Sequence, residues 1–491
     1  PSGNPEDPEK AWQSQSGSCQ MNLLEEELKR YGESDFYPFH MPGHKRKEMG
    51  SPVSRVYPLD ITEIDGFDNL HHAEGILKEA QERAGKLYHS EKTYFLVNGS
   101  TAGILSAVMG CTHRGDKILV ARHCHKSIYH AIYMNGLVPR YVYPEFDISM
   151  HMNGEISKED VAKALAAEPD IKAVVIVSPN YDGVVSDVKG IAEVAHSYRI
   201  PLIVDEAHGP HFGFHPAFPG RANDLGADVV INSLHKTLPS LTQTAILHIN
   251  GKLANRRRIK KYLDMLQSSS PSYIFMASLD ACVDFLDGKC EEAFELYVER
   301  LQKFREELKP LQHLQILRTE HYDISKVVIS TANANITSPE LADRLRKEYH
   351  LEMEMTGGTY VLAMTTVADT QEGLNRLKAA LLEIDDQLEA KTAVSGSIEI
   401  SGELPRLEQY FTPQEAAERE EDGEAEEIPW KESEGHISLE YAYLYPPGSP
   451  VIVPGERISR EAVELLCYYE TQNLQIEGIQ TEGKIKVWKH E

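Results

Sequence analysis

Residues 232–240 read NSLHKTLPS, which sets Lys236 at the end of an apolar run, next to His235. Lysine is a poor residue to bury, so this one either snorkels to water or forms a Schiff base with a carbonyl. Three other stretches also place polar groups just after apolar runs. NGSTAG, Asn98 to Gly103, sets Ser100 and Thr101 before a helical run, the makings of an anion cradle or of an ordinary helix cap. In ARHCHKSIYHA, His125 follows an apolar run, where a flat imidazole can stack on a ring, exchange protons or cap a helix. In VDEAHGPHFGFH, Asp205 closes an apolar run, where an unpaired carboxylate is costly and needs a cationic partner. His208, His211 and His215 invite a metal, with Asp205 as a further ligand. Gly209, Pro210 and Gly213 break the helix that would array them, so no metal is expected.

One cofactor accounts for all four stretches. Pyridoxal phosphate (PLP) needs a lysine for its aldehyde, an anion site for its phosphate, a carboxylate for its ring nitrogen and a flat group over its ring. An ionised Asp205 would keep the pyridine nitrogen protonated and the ring an electron sink. The order of a Ser/Thr-bearing helix start, then Asp205, then Lys236 is more specific than any one motif.

Such groups converge only if a scaffold brings several strand ends to one edge. Strand-like runs TYFLV (93–97), KILVA (117–121), RYVYP (140–144), AVVIVSP (173–179), PLIVDEA (201–207), DVVINSL (228–234) and AILHI (245–249) mostly alternate with helix-length stretches. That pattern predicts an α/β large domain over 76–305, with a mostly parallel seven-stranded sheet covered on both faces. In open α/β sheets ligands bind beyond the carboxyl ends of the strands, where all four stretches lie. The last gap is short, so the final strand is expected to run antiparallel. Residues 1–20 read as a flexible tail and 21–75 as an N-terminal segment with a helix near 22–31. A long helix near 290–310 leads into a smaller α+β region at 306–390. Residues 391–491 form a C-terminal region whose acidic stretch, 414–434, is expected to be a solvated helix or loop.

At 491 residues and 41% hydrophobic, the chain can build more than one core. Its net charge of −26 disfavours nucleic acid and anionic membranes as partners and suits a cationic small molecule. Six scattered cysteines without a CxxC, and no signal-peptide or membrane-spanning pattern, predict a cytoplasmic protein with free thiols.

SLHKT, DEAHG, NGST, CHKS and FHMPGHK, in that combination, resemble the Orn/Lys/Arg decarboxylase family of fold-type I (aspartate aminotransferase-like) PLP enzymes. DITEIDGFDNLHHAEGILKEAQ and YPPGSPVIVPGE extend the resemblance towards the C-terminus. It implies Lys236 as the lysine for the cofactor aldehyde, Asp205 as the ring-nitrogen partner and His125 stacked on the ring. It places His208 near the cofactor's O3′ or the substrate carboxylate. Ser100, Thr101, Ser233 and His235 match the phosphate set, and Ser269 or Ser270 matches a hydroxyl that reaches the neighbouring subunit's phosphate. A homodimer with a shared active site follows, with a dimer of dimers as the larger alternative. About 75 residues precede the regular α/β pattern, which fits the family's short form without a wing domain. Tyr181-Asp182 stands where many relatives carry paired aromatics, so the wall of the site is expected to differ.

The implied reaction is decarboxylation of a basic amino acid, with arginine to agmatine preferred over lysine to cadaverine and ornithine to putrescine. Carboxylate candidates for the distal cation are Glu354, Glu440, Asp60, Glu63 and Asp65. The alternatives are another fold-type I lyase or aminotransferase, an inactive binding protein on the same fold, and a metal hydrolase.

Overall fold

The computed structural model describes residues 23–47, 50–147, 152–317, 319–391, 403–444, 448–471 and 474–489. The expected tail, 1–20, lies outside the described residues. The apolar runs form seven strands: β1 (Lys92–Leu96), β2 (Lys117–Ala121), β3 (Val138–Val142), β4 (Val174–Val177), β5 (Leu202–Asp205), β6 (Val229–Asn232) and β7 (Ala245–Ile249). They join in one sheet in the order β1-β7-β6-β5-β4-β2-β3. From β6 through β3 every pairing is parallel, whereas β7 is antiparallel to both of its neighbours, β1 and β6.

Every residue of β4, β5, β6 and β7 is buried, because helices cover both faces of the sheet. β3 begins two residues earlier than RYVYP suggests and contains Pro139. Proline lacks an N–H donor, and β3 is the sheet's edge, where that omission is tolerated. The helix after β1, Gly99–Cys111, lies directly on the sheet: a Cβ at Gly103 would come 2.6 Å from Leu96 Cδ1.

The two antiparallel pairings of β7 have a geometric consequence. Two reversals cancel, so β1 points the same way as β6, and the chain leaving each emerges at one edge of the sheet. Asn98–Thr101 after β1, His125 after β2, Asp205 at the end of β5 and Lys236 after β6 therefore share that edge.

The helix Cys290–Glu307 leads into a four-stranded antiparallel sheet formed by Gln315–Ile316, Lys326–Ser330, Tyr360–Met364 and Met355–Thr356. The helices Ser338–Tyr349 and Gln371–Asp385 complete this region. The C-terminal region has its own core around Trp430, Ile452, Leu465 and Val487.

The acidic stretch 414–434, expected to be a solvated helix or loop, takes the helical alternative in its first part and a strand after it. Pro413–Glu421 is a helix opened by a capping box, in which Thr412 and Glu415 satisfy each other's backbone N–H groups. Ala425–Pro429 then pairs with Lys484–Trp488 as a strand. The charges face solvent, while Ala416 and Trp430 anchor the segment inward.

The C-terminal region is pinned to the large domain by Arg122, the residue after β2. Its guanidinium is fully buried and donates to the carbonyls of Pro450 and Val451, to Tyr129 Oη and to Glu456 Oε2 at 3.0 Å. Ser449 Oγ adds a bond to the carbonyl of His123 at 2.7 Å. The segment that carries His125 is thus clamped from the C-terminal side.

Candidate active site

Lys236 sits in the short helix Leu234–Thr237, one turn beyond β6. Its Nζ lies 2.8 Å from His208 Nε2, and burial lowers its pKa against the opposing pull of Asp205. Asp205 is 3% exposed at the end of β5, paired in register with Ile231 of β6. Burial raises its carboxyl pKa, and the positive charge of Lys236 opposes that shift. Its Oδ1 accepts the Ala207 N–H at 3.1 Å. Lys236 is thus the cation whose charge offsets the burial of this aspartate.

His125 is the N-cap of the helix Lys126–Asn135, its Nδ1 accepting the Ser127 N–H at 3.2 Å. The capping role thus coexists with a place at the site's edge. Burial lowers its pKa to about 4, helped by the charge of Lys236, so the ring is neutral near pH 7. Ser100 and Thr101 occupy the first turn of Gly99–Cys111. Gly99 adopts a φ of +74°, the left-handed conformation that turns the chain from β1 into this helix. Asn98 Oδ1 accepts the Ser268 N–H at 3.0 Å, which brings the exposed Ser269 and Ser270 beside that helix start. Ser233 is fully buried, and its Oγ has no hydrogen-bond partner among the described residues. His235 is bonded through Nδ1 to the Thr244 carbonyl at 2.7 Å, which leaves Nε2 as its other polar atom.

The donor set fits PLP on an observation of its own: a buried hydroxyl without a partner is costly unless something else supplies one. Ser233 Oγ, the first turn of Gly99–Cys111 and His235 are suited to a phosphate, Lys236 to an aldehyde and Asp205 to a protonated ring nitrogen.

The three histidines of DEAHGPHFGFH have separate partners. His208 faces lysines, His211 lies between Thr237 Oγ1 at 3.0 Å and Asp323 at 3.2 Å, and His215 meets Glu295 at 3.0 Å. Among the described residues, no three His, Cys, Asp or Glu side chains are grouped to hold a metal ion.

Sequence reasoning missed Lys326. It opens the apolar strand Lys326–Ser330, is fully buried, and its Nζ lies 3.2 Å from His208 Nδ1. A lysine at a strand start ordinarily snorkels to solvent, and nothing in DISKVVIST marks this one as different. Tyr181 and Asp182, flagged as a departure from the family's paired aromatics, line the same place. The Tyr181 ring is 4.5 Å from that of His208, and its hydroxyl is bonded to Glu354. Asp182 accepts from Tyr360 Oη at 2.6 Å, and burial raises its pKa to about 6.

The other carboxylate candidates lie in different settings. Glu440 is buried and accepts the backbone N–H groups of Gln480 and Lys486, a structural role that removes it as a ligand for the distal cation. Asp60 meets His44 at 3.2 Å. Glu63 has a buried Oε1 with no partner among the described residues.

Residues 23–340 match the Orn/Lys/Arg decarboxylase major domain, and residues 402–483 match the C-terminal domain of the same family. A protein named arginine decarboxylase from Bacillus subtilis (strain 168) is 33% identical over 466 residues, 92% of this chain and 94% of that one. Its namesake in Bacillus anthracis is 32% identical over 471 residues, with 92% of this chain and 94% of the other covered. Among solved structures, the constitutive lysine decarboxylase of E. coli superposes with a TM-score of 0.81 at 21% identity, over 95% of this chain and 82% of that one. That likeness concerns the fold. By motif and by sequence, the chain belongs to the Orn/Lys/Arg decarboxylase family and is an amino-acid decarboxylase.

Proposed function

We propose that the chain converts L-arginine to agmatine and CO2 with pyridoxal phosphate held at the edge of the seven-stranded sheet. The observation that carries the cofactor assignment is Lys236 at 2.8 Å from the buried His208, together with the buried Asp205 and the unpartnered Ser233 hydroxyl. The preference for arginine rests on the likeness to the Bacillus proteins of that name. Lysine and ornithine are the competing substrates.

When bound, the cofactor supplies an electron sink for the charge left behind as the carboxylate departs. Lys236 would hold the cofactor through its aldehyde. Asp205 keeps a proton on the ring nitrogen, because its charge favours the cationic form. His125 would cover the ring, and Ser100, Thr101, Ser233 and His235 would hold the phosphate, with Ser269 of a second copy completing the pocket in a homodimer. His208, which is buried, would be placed to supply a proton in place of water.

Glu354 is the carboxylate that best suits the substrate's distal cation. It is joined to Tyr181, whose ring centroid lies 6.0 Å from Lys236 Nζ, and its charge is felt by both Lys236 and Lys326. A carboxylate offers a planar guanidinium a bidentate partner. Glu354→Gln should raise KM for arginine about 10- to 100-fold, the value of one charged hydrogen bond, with a smaller effect on kcat. Incubating the PLP-loaded protein with arginine, lysine and ornithine separately, with detection of amine and CO2, tests the activity. Agmatine formed fastest supports the reading, cadaverine or putrescine in its place reassigns the substrate, and no amine from any of the three overturns it.

A further inference from the structure

Lys326 and its partners carry an inference about where the reaction's proton comes from, and it rests on the decarboxylase reading. Loss of CO2 from an amino acid breaks the bond to the carboxylate and leaves its electron pair on carbon. A new C–H bond then forms, so each turnover consumes one proton. At a site whose histidine is 5% exposed, that proton must be stored nearby.

His208 is held between two amines, with Lys236 Nζ at 2.8 Å from Nε2 and Lys326 Nζ at 3.2 Å from Nδ1. A neutral imidazole has one N–H and one lone pair, so it can accept from only one of them. Lys326 is fully buried, yet its Nζ is hydrogen-bonded to this imidazole rather than to a carboxylate. The acids around it are engaged elsewhere. Asp323 bonds His211 and Ser325, Asp182 accepts from Tyr360, and Glu354 is joined to Tyr181. A buried lysine without a bonded carboxylate is costly to keep for structure alone.

We propose that Lys326 is the proton reservoir for decarboxylation, acting through His208. Its ammonium donates to Nδ1, which fixes the ring's own proton on Nε2, where a neutral Lys236 amine can accept it. The Nε2 proton goes to carbon as Lys326 passes one to Nδ1. The ring ends as the Nδ1–H tautomer beside a neutral Lys326, and a proton from solvent resets the pair. Lys326 is thus a positioning residue for the chemistry of His208. Burial lowers its pKa to about 8, with Lys236 adding to the shift and Asp323, Glu354 and Asp182 opposing it. Its proton is therefore present below pH 8 and is lost above it.

The test uses the PLP-loaded protein with arginine, lysine or ornithine, whichever the wild type turns over. Lys326→Ala should lower kcat at least 10-fold, abolish its alkaline limb near pH 8 and raise the share of aldehyde released per amine, since a carbon that is not protonated in time allows protonation on the cofactor instead. Added methylamine should restore kcat to Lys326→Ala in proportion to its ammonium form. Lys326→Arg, which keeps the charge but cannot release a proton near neutrality, should not restore it. In cofactor-free protein carrying Lys236→Ala, which removes the competing ammonium at Nε2, 15N-histidine spectra should show the His208 tautomer changing when Lys326→Ala is added, with the signal assigned by its loss in His208→Asn. An unchanged pH profile and aldehyde share, no rescue by methylamine, full activity in Lys326→Arg, or an unchanged His208 tautomer would each overturn the proposal. Absence of amine from the wild type with all three substrates would overturn the decarboxylase reading itself, and the spectra distinguish the two failures.

Discussion

At the scale of single residues, the site is a problem of unlike charges sharing little water. Asp205 and Lys236 are each pushed by burial towards neutrality, and each is pulled back by the other's charge. Lys236→Ala should abolish amine production and the visible absorbance of the PLP-loaded protein while leaving far-UV circular dichroism unchanged. A retained absorbance band would show that another amine holds the cofactor. Asp205→Asn keeps the shape but removes the charge that favours a protonated ring, so kcat should fall on the order of 10²-fold, measured at saturating substrate. Lys236, Asp205 and His125 were legible in the sequence because each ends an apolar run, where its polarity is out of place. Lys326 was not, because its environment is made by residues far away in the chain: His208 from the large domain, Glu354 from the bend before Met355 and Asp182 from a loop.

Elements decide whether those residues meet. The seven strands were legible because their apolar runs are continuous, as a sheet covered on both faces requires. The start of β3 was not, since Pro139 reads as a strand breaker until the strand is known to lie at an edge. In 414–434 the helical alternative was legible, with Thr412-Pro413-x-Glu415 at its start, whereas the charges hid the strand Ala425–Pro429. At this scale the Arg122–Glu456 pair is the main joint between the C-terminal region and the segment bearing His125. Arg122→Met leaves Glu456 buried and uncompensated and should cost about 3–5 kcal/mol, whereas Arg122→Met with Glu456→Met should recover most of it. Urea unfolding midpoints for the two variants and the wild type check this. Equal losses in both variants would assign the stability to the carbonyl contacts of Arg122 instead.

For the whole molecule, the exposed Ser269 and Ser270 beside the helix start at Asn98 fit the proposal of two copies that complete each other's pockets. Mixing a Lys236→Ala protein with a second inactive variant altered at Ser269 and Ser270, under conditions that let subunits exchange, should restore about a quarter of wild-type activity, because half of the dimers are then hybrids with one intact pocket. No recovery despite exchange would place each pocket within one chain. The division of labour inside each chain has a consequence of its own. Lys236, Asp205, His125, Ser100 and Ser233 come from the strand ends of one sheet, whereas Lys326 and Glu354 are delivered by the small antiparallel sheet that follows. Holding the coenzyme and choosing the molecule it acts on are therefore inherited on different stretches of chain. Grafting residues 320–365 from a lysine-specific relative should redirect substrate choice while leaving coenzyme affinity intact, so that one half of the protein can diverge while the other stands still.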